Sequence, residues 1–337
     1  MDTTCHRGTV TRTLGLDDGA VHAVLGLATR APSLHNSQPW LFRLRPDRID
    51  LRADPTRRVP VADPADRELR VGCGAALFTL RLALTAAGVR PLVSRFPEPH
   101  DPELVAVVRH GGAVPPTTVT QDQRRMLEAV PRRHTNRRPF RDTPVPRPVR
   151  AALRRAAFDE GAWLDLVTDP DDLAELGRLA REAHRRQCGD AAFTAELASW
   201  TGLGSDRDDG VPARAGGPCP PPNQPWVTRD FAGDRHPRPA PAAFESDPLI
   251  AVLSVHTDGP REELRAGEAL QRVLLTATAE GLSASFLSQL VEVPDVRERV
   301  RRLLGGTRPP QVVLRLGHGV PVPATPRRRP EQVVEPA

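Results

Sequence analysis

The sequence contains no lysine and no tyrosine, and aromatic residues make up only 4% of the chain. All 47 basic residues are therefore arginines, and a core must be built mainly from leucine, valine and alanine. The net charge of +5 is spread along the chain, and no stripe of aromatic residues accompanies it. This combination argues against nucleic acid as the main partner, because single strands are bound by aromatic stacking as well as by charge.

Cysteine is scarce, and long apolar runs are absent. No two cysteines have CxxC spacing, so neither a zinc site nor a redox pair is indicated. The cysteines are Cys5, Cys73, Cys188 and Cys219. The chain opens without an apolar run, and its longest apolar helix, around residues 75–87, is interrupted by Arg81. We therefore expect a reduced, cytoplasmic protein with no secretory signal and no membrane span.

At 337 residues the chain is long enough for two domains. Apolar residues at helical spacing predict helices over residues 17–31, 67–88, 121–130, 148–158, 169–187, 261–281 and 295–304. Short apolar or alternating runs predict strands at 40–44, 49–51, 104–108, 163–167, 249–255, 282–287 and 312–316. Residues 188–245 lose this periodicity and are rich in proline and glycine, which predicts a lid or a disordered insertion.

A polar turn is predicted at Ala31–Trp40, which contains two prolines and several short polar side chains but no acidic residue and no arginine. Its donors must find partners, so we expect an irregular turn with a specific role. Within it, Gln38 and Trp40 are expected to be structural, and His35 to act as a capping side chain.

A basic turn, Arg133–Phe140, follows the helix predicted over 121–130 and brings guanidinium groups, an imidazole and a hydroxyl together. Arginine offers a planar fork of donors that matches a phosphate, and a threonine hydroxyl adds a donor without charge. The turn therefore indicates a phosphate-binding site. A solvent-exposed basic turn is the alternative in a chain this rich in arginine.

Two stretches of the chain can be aligned as a diverged repeat. Gly74–Gly88 aligns with Gly267–Gly281, with glycine at both ends, and Trp40 aligns with Trp163. The tryptophan and the first glycine are 34 residues apart in the first copy and 104 apart in the second. The surplus of 70 residues contains the proline-rich stretch, so we predict two related halves, one of which carries an insertion.

The predicted halves, residues 1–118 and 119–337, are not equivalent. The first carries the polar turn, but the stretch Thr9–Leu16 ahead of its first helix offers only Arg12; the second carries the basic turn but no polar turn before Trp163. The lid insertion, residues 188–245, lies in the second half. Each half holds what the other lacks, so packing of the two as an intramolecular pseudo-dimer would leave one composite site per chain.

These residues resemble the FMN-dependent nitroreductase family, and most closely its actinobacterial Acg-type branch, in which two nitroreductase-like halves lie in one chain. The resemblance runs from about Asp17 to Pro330. Its most specific pieces are Ala31–Trp40, Arg133–Phe140 and the end of the chain from Gly281. It implies an α+β fold, a sheet with helices around it, and a flavin held where the two halves meet.

The resemblance also implies which residues hold FMN. The basic turn and the basic tail, residues 325–330, are expected to bind its phosphate. The polar turn and the segment after Gly281 are expected to contact its isoalloxazine ring. The phosphate residues are Arg133, His134, Thr135, Arg137, Arg327 and Arg329, with Arg328 pointing to solvent. The ring residues are Pro32, Ser33, Leu34 and Asn36 from the polar turn, and Phe286, Leu287, Ser288 and Gln289 near flavin N5.

The implied activity is two-electron transfer through flavin N5, in which NAD(P)H reduces the flavin and the flavin then reduces a nitroaromatic, a quinone or a similar small acceptor. No Ser-His-Asp set, metal-ligand cluster or GxGxxG loop suggests another chemistry. The alternative is a flavin-sequestering protein whose lid blocks turnover. We expect the lid to lie across the flavin with Trp200 or Trp226 as its aromatic cover, in a monomeric pseudo-dimer or a homodimer.

Overall fold

A computed structural model describes residues 12–202, 207–218, 229, 231, 244–245 and 248–335. Helices α1 to α10 span Asp18–Ala28, Arg67–Ala86, Gln121–Ala129, Arg147–Asp159, Pro170–Gly189, Ala191–Ser199, Pro260–Ala279, Gln289–Glu292, Pro294–Leu303 and Pro330–Val333. Strands β1 to β9 span Trp40–Leu44, Arg48–Ala53, Val89–Arg95, Leu104–Ala113, Phe140–Arg141, Trp163–Val167, Leu249–Ser254, Ser283–Phe286 and Pro310–Gly319. The predicted α+β fold is confirmed.

The strands form two antiparallel sheets with the same order. The first sheet has the order β1-β2-β4-β3, and the second has the matching order β6-β7-β9-β8. The second sheet also includes β5, which pairs with the last residues of β9. Trp40 opens β1 and Trp163 opens β6, in the equivalent place of each sheet. A tight turn joins β1 to β2, whereas α5, α6 and the proline-rich stretch separate β6 from β7. The surplus length of the second copy lies between these two strands.

Helices α2 and α7 cross at their matched glycines. A Cβ atom on Gly74 would lie 2.0 Å from the carbonyl oxygen of Leu264, and a Cβ atom on Gly267 would lie 2.0 Å from that of Val71. Each oxygen belongs to the residue three positions before the opposite glycine, so the contact is the same in both directions. Only glycine permits backbones to approach this closely. The crossing joins the two sheets, while the predicted boundary at residue 118 stays a prediction.

Each sheet has its own apolar core, and the end of the chain returns to the first one. Val333 of α10 is fully buried in the core formed by α1, α2 and the first sheet. The Glu335 backbone amide donates to Phe42 O at 3.0 Å, and the Glu335 carboxylate pairs with Arg43 at 2.7 Å. The tail after β9 therefore runs from the second sheet to the first, and Arg327 lies on it.

Several elements differ from the sequence-based predictions. Residues 191–199, predicted to be irregular, form α6, whose start is capped by Asp190 Oδ1 accepting from Ala192 N at 2.8 Å. Strand β3 was missed because Pro91 interrupts its pattern, and proline is tolerated there because β3 is an edge strand. Strand β5, which no pattern predicted, is two residues long, and β4 continues to Ala113, beyond its predicted end at residue 108.

Helix α2 is long and apolar enough to cross a membrane, judged by length and composition alone. In the structure 78% of its apolar stretch is buried within the protein. Arg81, which interrupts its apolar surface, pairs with Glu160 at 2.8 Å and with the buried Glu268 of α7 at 2.7 Å. The helix is packed as the central helix of the fold, and Arg81 ties it to the other half.

Replacing Gly74 with alanine tests the crossing. The added carbon must displace the backbone of α7, so we expect a loss of about 1–3 kcal/mol in the free energy of unfolding, or failure to fold. The control is Gly26→Ala in α1, whose Cβ would meet only Pro330 Cγ at 3.8 Å. That change should be neutral or stabilise by up to about 1 kcal/mol. Urea denaturation measures both, and equal effects would contradict the close crossing.

Candidate functional site

The polar turn contains strained backbone. His35, Asn36 and Gln38 have φ angles of 50°, 59° and 52°, in the left-handed region that residues other than glycine rarely adopt. Leu34–Asn36 forms a single turn of 3-10 helix within this run. Such conformations persist only where surrounding contacts impose them, and they cluster at functional sites.

Asn36 binds the turn to two other parts of the chain. Its Nδ2 donates to Gly210 O at 2.9 Å and to Pro326 O at 3.0 Å. Its Oδ1 accepts from Arg327 Nη1 at 2.8 Å. Asn36 therefore orients Arg327 and connects the polar turn with the insertion and the C-terminal tail.

Gln38 and Trp40 are structural, as predicted. Gln38 is fully buried; its Oε1 accepts from the Arg328 backbone amide at 2.8 Å, and its Nε2 donates to Asp208 O at 2.7 Å. Trp40 is fully buried in the core of the first sheet. The predicted capping role of His35 is wrong, because neither ring nitrogen has a hydrogen-bond partner among the described residues.

The basic turn is attached to β8. Thr135 forms a β-bridge with Ala284, and the Asn136 backbone amide donates to Ala284 O at 2.8 Å. Asn136 Nδ2 also donates to Val320 O at 2.8 Å, just beyond β9. These bonds bring the basic turn against the strand that leads into α8.

The guanidinium groups of Arg133 and Arg327 are the buried centre of a cation group that also includes the exposed Arg30, and the half-buried His134 lies beside them. Arg133 is 4% exposed, and its Nη2 donates to Arg30 O at 3.1 Å. The Nε atoms of Arg133 and Arg327 are buried and have no hydrogen-bond partner within the described ranges. Buried donors of this kind are costly, so the group is arranged for an acceptor that the described part of the chain does not supply.

The pKa values in this group fall because of burial and mutual repulsion. Burial, and then Arg30, lowers the pKa of Arg133 to about 10. Burial, and then Arg133 and Arg30, lowers the pKa of Arg327 to about 9. The same causes lower the pKa of His134 to about 4, so this imidazole is neutral at pH 7. In the part of the chain that the structure describes, no carboxylate forms an ion pair with either arginine.

The tail arginines differ from the predictions. Arg328, predicted to point to solvent, is 9% exposed and pairs with Asp54 at 3.5 Å. Arg329, predicted to bind phosphate, is exposed. The reason is that α10 begins immediately afterwards with Arg329 as its N-cap residue, which turns this side chain outward. We therefore remove Arg329 from the candidate phosphate site and keep Arg327.

A cavity of about 60 Å³ lies where the two turns, the crossing helices and the start of α8 meet. Eight predicted residues line it: Pro32, Ser33, Leu34, Thr135, Arg137, Phe286, Ser288 and Gln289. The lining also includes residues that sequence reasoning did not place there, namely His35, Glu68, Val71, Arg229, Phe231 and Leu270. The helical spacing of Val71 and Leu270 indicated only a core, His35 lies in the polar turn but was given a capping role, and no motif marked Glu68, Arg229 or Phe231.

Two predicted ring residues do not line the cavity. Leu287 is fully buried in the core on the other side of the second sheet, and its backbone amide donates to Val313 O at 2.9 Å. Successive side chains of an extended chain point to opposite sides, so Phe286 and Ser288 face the cavity while Leu287 faces away. The Asn36 side chain instead forms the hydrogen bonds to the insertion and the C-terminal tail described above. We remove both from the candidate ring contacts.

Phe231 of the insertion is the aromatic side chain that covers the cavity. Its ring centroid lies 4.2 Å from the guanidinium carbon of Arg137 and 6.0 Å from the ring of His35, edge to face. Burial, and then Arg229, lowers the pKa of Arg137 to about 10. Trp200, one of the two predicted covers, is half-buried outside the cavity lining, and Trp226 lies outside the described residues.

Residues 207–218 of the insertion form a strap that touches both turns. The Gly210 backbone amide donates to Asn36 O at 3.3 Å, and Arg137 Nη1 donates to Ala215 O at 3.0 Å. Gly217 lies so close to the basic turn that a Cβ atom there would be 2.6 Å from Arg137 O. The strap therefore holds the polar turn and the basic turn on opposite sides of the cavity.

Sequence comparison relates the whole chain to mycobacterial proteins, although no family model matches it. Rv3131 of Mycobacterium tuberculosis, provisionally named an NAD(P)H nitroreductase, is 36% identical over 326 residues, which cover 95% of this chain and 92% of the relative. The chain belongs to the NAD(P)H nitroreductase family. A second relative from that organism, acg, has the same provisional description and is 32% identical over 93% of this chain and 94% of its own. The predicted Acg-type resemblance is confirmed.

Solved structures are more distant from this nitroreductase. A nitroreductase with bound FMN from Desulfitobacterium hafniense is 14% identical, covers 60% of this chain and 93% of its own, and has a TM-score of 0.37. The NADPH:FMN oxidoreductase from Vibrio harveyi, complexed with NAD⁺, is 14% identical over 60% of this chain and 73% of its own, with a TM-score of 0.34. Scores this low support no comparison of individual residues.

Replacing Arg133 with methionine tests whether the cation group is arranged for an anion. Removing an uncompensated buried charge should raise the free energy of unfolding by about 1–2 kcal/mol in anion-free buffer. Inorganic phosphate should raise the melting temperature of the wild type and have little effect on the variant. Arg132→Met, at the exposed neighbouring position, is the control and should behave like the wild type. A destabilised R133M protein that still responds to phosphate would contradict the assignment.

Proposed function

We propose that this nitroreductase binds FMN and transfers two electrons from NAD(P)H to a nitroaromatic, a quinone or a similar small acceptor. The observation that carries the proposal is a set of arginines with no carboxylate among the described residues to neutralise them: Arg137 lines the cavity, and Arg133 and Arg327 lie on the basic turn and the tail next to it. The relatives described above are named NAD(P)H nitroreductases, which supports the same activity.

The phosphate end of the proposed site offers donors and positive charge that match the phosphate of FMN. The unpartnered Nε atoms of Arg133 and Arg327 are donors to which phosphate oxygens would accept hydrogen bonds, and these bonds are charge-assisted. Thr135, on the cavity wall, adds a hydroxyl donor. A dianionic phosphate would also remove the repulsion that lowers the pKa values of these arginines.

The ring end would be held between the polar turn and the start of α8. When bound there, FMN would supply a two-electron acceptor at N5. The residues of the chain orient it: Pro32 and Ser33 line one side of the cavity, and Phe286 and Gln289 line another. Arg137 contributes a positive charge on the wall between the two ends.

We infer that each chain holds one such site. The polar turn precedes the first sheet, the basic turn precedes the second, and each is present in a single copy. The site would therefore be completed within one chain, whether the protein is a monomeric pseudo-dimer or pairs again as a homodimer. We place its activity in the cytoplasm, where NAD(P)H is available.

Binding of FMN and of riboflavin to Arg327→Ala tests the proposal. Losing a charge-assisted bond costs about 1.5–3 kcal/mol, so the dissociation constant for FMN should rise by about 10- to 100-fold. Riboflavin, which has no phosphate, should bind the variant and the wild type almost equally. Arg329→Ala, at the exposed position of the same arginine run, is the control and should leave both ligands unaffected. Equal weakening of FMN and riboflavin would make Arg327 a structural residue.

The alternative function, sequestration of flavin beneath a closed lid, is favoured by one observation. Phe231 closes the cavity against Arg137, and the remaining volume is about 60 Å³, whereas pockets for drug-sized ligands have roughly 300–1,000 Å³. A ring-sized ligand therefore requires the insertion to shift. Arg229 opposes such a shift, because it pairs with the buried carboxylate of Glu292.

Replacing Phe231 with alanine distinguishes turnover from sequestration. If the insertion limits access, the FMN-loaded variant should be reduced by NADPH about tenfold faster or more, while reduction by dithionite, a much smaller reductant, changes less. Phe158→Ala, on the exposed face of α4, is the matched control. Stopped-flow absorbance follows both reductants. Unchanged rates with both would show that Phe231 does not limit access.

A further inference from the structure

Glu68 is the one carboxyl among the described residues that line the cavity, and neither the phosphate site nor the proposed ring contacts use it. It lies in the first turn of α2, three residues before Val71, which also lines the cavity. Its side chain is 11% exposed, and its Oε1 accepts from Arg67 Nη2 at 2.7 Å. The second carboxyl oxygen has no such bond to Arg67.

Arg67 is committed to other groups as well as to Glu68. Its Nη1 donates to Gln311 O at 2.7 Å, and its Nη2 also donates to Val291 O at 3.2 Å. The positive charge that faces Glu68 is therefore shared with backbone carbonyls of the second half. Arg67 holds the Glu68 carboxyl in place without fully compensating a negative charge on it.

Two further carboxylates act on Glu68. Glu292 belongs to α8 and is paired with Arg229 of the insertion, and Asp63 precedes α2. Burial is the largest cause that raises the pKa of Glu68, Arg67 opposes it, and the negative charges of Glu292 and Asp63 add to it. The result is a pKa of about 7, so the carboxyl exchanges its proton in the neutral range.

The other titratable groups of the cavity wall are poor proton donors at neutral pH. The pKa of His35 is held well below its usual value by burial and by Arg229 and Arg137, so its imidazole is neutral. Arg137 keeps a pKa of about 10 and stays charged. Among the described residues of the cavity wall, Glu68 is the one that readily donates a proton and takes it back near pH 7.

The reaction proposed above needs such a proton, and the inference rests on that proposed function. Hydride addition to a quinone delivers two electrons and one proton, and leaves a negative charge on one oxygen. A neutral hydroquinone requires one more proton. The same count applies to any carbonyl-like acceptor that takes up a hydride.

We propose that Glu68 donates this proton from the cavity wall. The carboxyl O–H bond breaks, its electron pair stays on the Glu68 carboxylate, and a new O–H bond forms on the charged oxygen of the acceptor. The carboxylate then takes a proton from water, so the residue returns to its starting state in each cycle. Arg67 is the positioning residue that holds the carboxylate between the two steps.

The test compares two oxidants of the FMN-loaded, prereduced protein. 1,4-Benzoquinone needs a proton to form its product, whereas ferricyanide accepts electrons without one. In single-turnover reoxidation near pH 6, Glu68→Gln should slow the quinone step by about 100-fold or more, since a positioned acid typically contributes about 10²–10⁴-fold, and should leave the ferricyanide step unchanged. Glu68→Asp should restore part of the quinone rate. The wild-type quinone rate should fall as pH rises through about 7, where Glu68 loses its proton, and this fall should be absent in E68Q.

A second readout does not depend on turnover. The folded-state pKa of Glu68 lies above its ordinary value of 4.5, so the stability it contributes is full at low pH and is lost as pH rises toward about 7. In thermal melts of the flavin-free protein, the wild type should lose melting temperature relative to E68Q between about pH 5 and about pH 8. Glu128→Gln, at an exposed position of α3, is the control and should show no such trend.

The outcomes separate this inference from the proposed function. A protein that never binds FMN would contradict the proposed function, while the melts would still report on the titration of Glu68. An E68Q protein that reoxidises with quinone at the wild-type rate and pH profile would overturn the proton-donor role. Equal slowing with ferricyanide would overturn it too, because the defect would then lie in electron transfer.

Discussion

The close crossing of α2 and α7 is the contact on which the rest of the structure depends. Gly74 and Gly267 allow the two backbones to touch, and each sheet packs on its own helix of this pair. A larger residue at either glycine would push the halves apart. Because the cavity lies beside this crossing, with Val71 and Leu270 in its wall, the same contact brings the polar turn and the basic turn within reach of one ligand.

The chemistry follows from what this packing buries. Arg133 and Arg327 come from opposite ends of the second half and meet beneath the polar turn of the first, where Asn36 orients one of them. Their charges repel each other and lack a carboxylate in the described part of the chain, so the fold carries a cost that an anion removes. Such a site lowers the stability of the unliganded protein and raises its affinity for an anion, which is common where a protein binds a charged cofactor.

Local patterns predicted the long helices, most of the strands and the two turns, since helix spacing, glycine positions and arginine-rich turns are visible in short windows of sequence. Positions that depend on tertiary packing could not be read in this way. Arg328 and Arg329 exchange their predicted environments because α10 starts at the next residue. Glu68 and Phe231 reach the cavity from distant parts of the chain, and nothing in their neighbours marks them.

The stoichiometry of FMN tests the central claim, that the two halves form one composite site, most directly. The protein would be saturated with FMN, freed of excess ligand and denatured, and the released flavin would be measured by absorbance against protein mass. The account predicts one FMN per chain, because the polar turn and the basic turn are each present once. Two FMN per chain would show that each half binds flavin by itself, and no retained FMN would contradict the site altogether.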